Sequence, residues 1–357
     1  MSSRVRRSIQ VVIGLGLAAV LLIWGLPHFA KTTWTEIWEV IGGVPVSSAI
    51  GFQVLMLVGL WSYTFCITGS LHGLSHSRAL IVNLCGSSVS NLLPGGGAVG
   101  LAATYGICRT WGFSRRATST SAIVTGVWNV MARIALPVVA IGALWFGGVT
   151  LPDALTDLAI AGMVTGVGIL VTFVAVMVSE RAALAIGSAL DRVLGPLFRR
   201  KRPESPMSLE ELVHDLRARI NDVVGSGWWS MTLGMVGFFG AYYVLFVLVL
   251  RETGVFLPLN LLFAAFAIGR LLTAVGITPG GVGVTETATA AVLVAWGADP
   301  AGATAGVVLF SIFTHLMEVP LGALGWLLWT LSPKVEPRAA GGKDAFAEAA
   351  VDPSIDT

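Results

Sequence analysis

Charge is scarce in this chain. Acidic and basic residues together make up 12% of its 357 residues, about half the share of a typical soluble domain. Cysteine is rarer still. Cys66, Cys85 and Cys108 lie in apolar runs without CxxC or Cys/His spacing, which excludes a disulfide framework and a zinc site and leaves them as small buried apolar residues. The net charge of +2 is too small for a nucleic-acid partner. No nucleotide-binding motif occurs, so no cofactor is expected. What fills the chain instead is apolar: 55% of residues are hydrophobic and the mean hydropathy is +0.82. That composition predicts an all-α polytopic membrane bundle.

Apolar stretches long enough to cross about 30 Å of hydrocarbon run from Ser8 to Leu26, Val46 to Thr68, Ala117 to Phe146, Leu158 to Val178, Trp228 to Leu250 and Pro300 to Leu331. Two more, Ala79 to Gly112 and Phe256 to Trp296, are interrupted near their middle by Pro and several Gly. Each is long enough for two short helices and marginal for two crossings, which predicts a re-entrant hairpin. The expected architecture is six full spans plus two broken hairpins. The first span follows Arg4, Arg6 and Arg7 but lacks a small-residue cleavage site, so a retained helix is expected. With the N-terminus inside and both hairpins returning to their side of entry, Lys31 and Arg251 are the only Lys or Arg between membrane segments that fall outside. That bias predicts an inner (plasma) membrane protein with both termini cytoplasmic.

The domain plan is one membrane unit over residues 1–331, with repeat one over about 8–146 and repeat two over about 158–331. Its longest connection, 179–227, holds Arg199-Arg200-Lys201-Arg202 and then Leu209, Leu212, Val213, Leu216 and Ile220 at helical spacing. It reads as a cytoplasmic topology determinant with an amphipathic helix; the sharper alternative is contact with anionic headgroups. The Ala-, Pro- and Gly-rich stretch 332–357 predicts a disordered cytoplasmic tail.

The two broken stretches superpose at an offset of 185. Pro94-Gly95-Gly96 falls on Pro279-Gly280-Gly281, Trp111-Gly112 on Trp296-Gly297, and Arg133 on Glu318. An odd number of crossings in the first half would place the second half upside down, the plan of transporters whose site lies near the midplane between inverted repeats. Glycines there let the backbone turn sharply and let N–H groups approach a ligand, which nominates Pro94, Gly95, Gly96, Gly97, Pro279, Gly280, Gly281 and Gly283. The bland alternative is a tight turn between packed helices.

Four costly charges sit in or beside the spans: Arg133, Arg270, Glu286 and Glu318. One reading pairs Arg133 with Glu318, or Arg270 with Glu286, as structural salt bridges. The other has the arginines attract a phosphate while the glutamates take a proton, a cation or an amine. His315 lies three residues before Glu318 on one helical face, and Asn91 and Asn129 are placed to offer amide hydrogen bonds or to brace a helix. Tyr105, Thr285 and Thr287 share that ambiguity.

The segment Asn91-Leu92-Leu93-Pro94-Gly95-Gly96-Gly97, the Trp111-Gly112 after it, and Pro279-Gly280-Gly281-Val282-Gly283-Val284-Thr285-Glu286 resemble the paired signatures of the lysylphosphatidylglycerol synthase transmembrane-region, or flippase-like, family. The resemblance spans about Ser8 to Leu331. It implies a membrane domain that moves a polar lipid between leaflets, occurring alone or beside glycosyltransferase or synthase domains. Relatives usually carry an arginine immediately before the second glutamate, where this chain has Thr285. With no synthase domain after Leu331, a stand-alone membrane domain is expected.

The resulting expectation is a lipid translocase rather than an enzyme, moving an anionic or polyprenyl-linked lipid, with a separately encoded lipid synthase or glycosyltransferase as a possible partner. Arg133 and Arg270 would hold the phosphate, and Glu286 with Glu318 would supply the protonation change that resets access. An ion-coupled transporter of a small solute is the alternative. An intramembrane enzyme built on His315 and Glu318 is a third reading, weakened by the incomplete ligand set.

Overall fold

The computed structural model describes residues 20–92, 96–147, 153–201, 209–273, 278 and 281–334, and all regular structure among them is helical. A π-helical turn, Leu21–Gly25, leads into α1 (Leu26–Ala30), so helix continues past the expected end at Leu26; most of the predicted first span lies outside the described residues. Then follow α2 (Trp34–Gly42), α3 (Val46–Ser70), α4 (His76–Leu92), α5 (Gly96–Thr110), α6 (Arg115–Phe146) and α7 (Asp153–Val178). The second half holds α8 (Glu180–Lys201), α9 (Leu209–Glu252), α10 (Leu259–Leu272), α11 (Val284–Ala295), α12 (Pro300–Ser311), a π-helical turn Ile312–Leu316, and α13 (Glu318–Leu331). Among the described residues, α3, α6, α7, the apolar part of α9 and the run Pro300–Leu331 are long and apolar enough to cross a membrane. The chain is a multi-pass helical membrane protein.

The breaks fall where glycine and proline put them. α4 stops at Leu92 and α5 starts at Gly96; α10 stops at Leu272 and α11 starts at Val284. Pro94, Gly95, Pro279 and Gly280 themselves lie outside the described residues. The paired Trp-Gly signatures are helix stops. Gly112 (φ 90°) and Gly297 (φ 93°) take the left-handed conformation. Each is bracketed by the same two bonds, Gly112 N–H to Arg109 O and Phe113 N–H to Cys108 O, then Gly297 N–H to Val294 O and Ala298 N–H to Leu293 O. This arrangement caps the last carbonyls of a helix and needs a residue without Cβ. The helices that follow start at Arg115 and Pro300 and end at Phe146 and Leu331, again 185 residues apart. Their starts are capped alike, by Ser114 Oγ on Ala117 N–H (3.0 Å) and Asp299 Oδ2 on Gly302 N–H (2.8 Å).

Packing crosses between the halves. α3 lies along α9, α4 against α13, and α10 against α6. Small residues set these distances, as expected where lipid supplies no hydrophobic drive between helices. A Cβ on Gly59 would lie 2.6 Å from the Tyr242 ring, one on Gly234 would lie 2.8 Å from Cys66 N, and one on Gly322 would collide with Ser88. Gly59→Val is therefore expected to push α3 from α9 and cost about 1–3 kcal/mol. The check is a lowered midpoint of thermal unfolding in detergent; an unchanged midpoint would contradict this packing.

The open ends of the first hairpin lie at one level, since Arg78 at the start of α4 sits 5.2 Å from the centre of the Trp111 ring just after α5. Trp111 Nε1 also donates to Ser332 Oγ (3.0 Å), and Trp329 Nε1 to Thr110 Oγ1 (3.1 Å), tying that end to the end of α13. Arg78, Arg109, Arg115, Arg116 and Lys334 thus gather at one end of the bundle. The long connection differs from expectation. The predicted amphipathic segment from Leu209 is not separate from the next span but continuous with it in the 44-residue α9, about 66 Å at 1.5 Å per residue. Ile220 and Val223 on it are buried, and Arg217 Nε donates to Val176 O (3.0 Å) near the end of α7. Side chains of Arg199, Arg200 and Lys201, with Arg202 and the tail from residue 335, lie outside the described residues.

Candidate functional site

A cavity of about 560 Å³ opens between the halves, walled by α3, α4, α5, α6, α9, α10 and the π-helical turn before α13. Its basic and acidic lining side chains are Arg133, Arg270, His315 and Glu318. Asn91, Gly97, Asn129 and Gly281 also line it. Of the nominated residues whose surroundings are described, Gly283 and Glu286 do not, and neither does Tyr105; the surroundings of Gly96 lie outside the described residues.

Arg133 is braced. Its Nε donates to Asn129 Oδ1 one turn earlier (2.7 Å), and Nη1 donates to Thr273 Oγ1. Thr273 in turn donates to Arg270 O (2.7 Å), so the two arginines share one local frame where α6 meets the end of α10. Arg270 is held differently. It is 9% exposed, its guanidinium carbon lies 5.6 Å from the Phe266 ring centre and 5.1 Å from that of Phe310, and its Nε is buried with no hydrogen-bond partner. Thr278, 4% exposed and on the same wall, has a buried hydroxyl with no partner either. Two aromatic faces support a cation but accept no in-plane N–H bond.

The predicted salt bridges do not form. Glu318 accepts from Asn91 Nδ2 on Oε2 (2.9 Å) and from Tyr242 O–H on Oε1 (3.3 Å). Glu286, 2% exposed, is a helix cap: one oxygen accepts from Gly283 N–H (2.6 Å) and Thr285 O–H (2.9 Å), the other from Ser311 O–H. A carboxylate at a helix N-terminus satisfies orphan N–H groups and meets a favourable dipole, and that is enough to account for its burial. Gly283 (φ 87°) is its backbone partner, and Gly281 (φ 78°) approaches Thr273 so closely that a Cβ would lie 3.1 Å from its Cα. His315 Nδ1 faces Thr314 (3.1 Å) and Ser311 (3.5 Å), while its backbone oxygen accepts from Asn91 (3.4 Å). No hydrogen bond joins His315 to Glu318.

Sequence reasoning missed Tyr242, Thr273 and Thr278. Thr278 directly precedes the Pro279-Gly280 break and Thr273 lies one turn after Arg270, so both were reachable by proximity to nominated residues. Tyr242 carried no signal, because a tyrosine in an apolar span is unremarkable until its partner is known.

The chain is thus a multi-pass helical membrane protein with a buried guanidinium, its Nε without a hydrogen-bond partner, on the wall of an internal cavity. The family model for the lysylphosphatidylglycerol synthase TM region matches residues 11–322, and the chain belongs to that family. A search of curated proteins gives no match.

Proposed function

We propose that the chain moves an anionic lipid, either a glycerophospholipid or a polyprenyl-linked one, between the leaflets of the plasma membrane, with the headgroup in the cavity and the chains in the bilayer. The observation that carries this is Arg270, a buried guanidinium facing the cavity with its Nε unpaired. Arg133 stands beside it through Thr273. An arginine pair suits a phosphate, whose oxygens match the guanidinium fork.

The halves act as inverted repeats with the two hairpins re-entrant. Support comes from the matched element ends, the matched Trp-Gly stops, the crossed packing of α4 on α13 and α10 on α6, and the hairpin whose ends meet at Arg78 and Trp111. The basic end of the bundle is cytoplasmic, which puts both termini there. Movement is driven by a gradient, by mass action or by a partner, and a separately encoded synthase or glycosyltransferase supplies the lipid. Glu318 is the one carboxylate in the cavity available to report a protonation change, since Glu286 is spent on its cap.

Leaflet exchange of labelled phosphatidylglycerol and polyprenyl phosphate in proteoliposomes tests this. Exchange faster than in empty vesicles, lost in Arg133→Ala, is expected. Folded protein that leaves every lipid at the empty-vesicle rate would overturn it and move the solute-transporter reading ahead.

A further inference from the structure

The cavity has two chemically different ends. All its acidic and basic lining groups collect where α10, the π-helical turn and α13 meet the lower part of α6, as Arg133, Arg270, His315 and Glu318. From Arg133 the cavity continues along one face of α6 past Asn129, Thr125, Ser121 and Thr118, spaced by three or four residues, for about 22 Å at 1.5 Å per residue. The opposite wall there carries Asn83 and Thr104. No acidic or basic side chain lines this arm.

Its hydroxyls are set as acceptors. Thr118 donates to Ser114 O (3.0 Å) and Thr125 to Ser121 O (2.8 Å), while Ser121 Oγ is paired with Ser70 Oγ (2.6 Å). With their hydrogens committed, what these hydroxyls have left to offer a ligand in the arm is lone pairs, which suit hydroxyl donors. An ammonium group would also donate, but here it would pass two guanidiniums and find no acidic partner. Glu318, held by Asn91 and Tyr242, stands at the other end of the cavity beside the arginines.

We infer that the ligand is a phosphate ester of a neutral polyol, a glycerol, inositol or sugar headgroup, with its phosphate at Arg270, Arg133 and Thr278 and its hydroxyls in the arm, and that an aminoacylated, cationic headgroup is disfavoured. The inference rests on the translocase reading for its site and sharpens the substrate. It sets this chain apart from the lysylated lipid in the family's name, whose headgroup carries ammonium groups where this arm has no carboxylate to receive them.

Native mass spectrometry of the detergent-solubilised full chain tests it, with an equimolar mixture of phosphatidylglycerol, phosphatidic acid and lysylphosphatidylglycerol of identical acyl chains. At least tenfold preference for phosphatidylglycerol over both others is expected. The double variant Ser121→Ala/Thr125→Val should bring phosphatidylglycerol to within threefold of phosphatidic acid while leaving phosphatidic acid bound. Equal or tighter binding of the lysylated lipid overturns the inference, as does phosphatidic acid matching phosphatidylglycerol in the wild type. Should the double variant not fold, the wild-type ranking decides alone. Deacylated glycerophosphoglycerol separates the sources of the ligand: weak competition supports a lipid, and binding as tight as the lipid's overturns the lipid assignment in favour of a soluble phosphate ester. Selective binding without leaflet exchange would remove translocation and leave the ligand class standing.

Discussion

Replacing Arg270 with Gln is expected to slow lipid exchange on the order of 100-fold while leaving the protein as stable as the wild type or more so. The two effects have one cause. In the free protein the Arg270 guanidinium is desolvated, supported by Phe266 and Phe310, and its Nε has no hydrogen-bond acceptor. Glu286 and Glu318 attract it only from beyond ion-pair distance, so its desolvation is incompletely repaid, and replacing it with a neutral side chain of similar length removes that cost. A phosphate arriving beside it would form charge-assisted hydrogen bonds worth about 3 kcal/mol, which converts to a factor on the order of 100. Exchange rates in proteoliposomes and unfolding midpoints in detergent check the two halves separately. A variant that loses exchange only because it loses stability would show that Arg270 holds the fold rather than the ligand. Lysine at this position retains the charge but not the planar fork, so it should recover only part of the rate.

Glu286→Ala is expected to do the reverse, destabilising the protein by about 3–5 kcal/mol through structure alone. Three protein donors, Gly283 N–H, Thr285 O–H and Ser311 O–H, converge on this carboxylate. Truncation strands Gly283 N–H and leaves Ser311 O–H only its longer contact to His315, while Thr285 O–H falls back on Gly281 O; each stranded group costs about 1–3 kcal/mol before relaxation. The N-terminus of α11 would lose its cap, and with it the geometry of the Gly281–Gly283 turn on the cavity's edge. Glu286→Gln keeps one acceptor oxygen but turns an N–H₂ toward existing donors, so it should lie between wild type and Ala. Unfolding midpoints in detergent give the order wild type, Gln, Ala. An alanine variant as stable as the wild type but inactive would return Glu286 to the proton-coupling role that its charge in an apolar stretch first suggested.

Backbone grammar was partly legible in the sequence because it is local. Pro-Gly-Gly interrupts a helical pattern whatever surrounds it, so the two broken stretches could be read before any contact was known. The Trp-Gly stops could not, since Trp24-Gly25 lies inside helix. The offset of 185 also survives in element ends that share no obvious sequence, Phe146 and Leu331. Side-chain partners were less legible because they are distant in sequence. Asn91 and Glu318 stand 227 residues apart, and no spacing rule predicts that an amide and a tyrosine, rather than Arg133, would reach that carboxylate. Glu286 was half legible: its spacing from Gly283 is that of a capping residue, yet being charged in an apolar run drew it toward function. The continuous helix from Leu209 to Glu252 escaped notice for a different reason. Hydropathy reports where the solvent changes, and a helix need not stop there.

The central claim is that the cavity between the halves is a passage used from both faces of the membrane. Thr125→Cys, placed in a chain whose Cys66, Cys85 and Cys108 are replaced by Ala, puts one thiol on the cavity wall. Its labelling by a membrane-impermeant maleimide in right-side-out and in inverted vesicles is the most direct measurement. Labelling from both sides, slowed in both by added phosphatidylglycerol, is the predicted result. Labelling from one side only, at any lipid composition, would make the cavity a fixed pocket and contradict translocation.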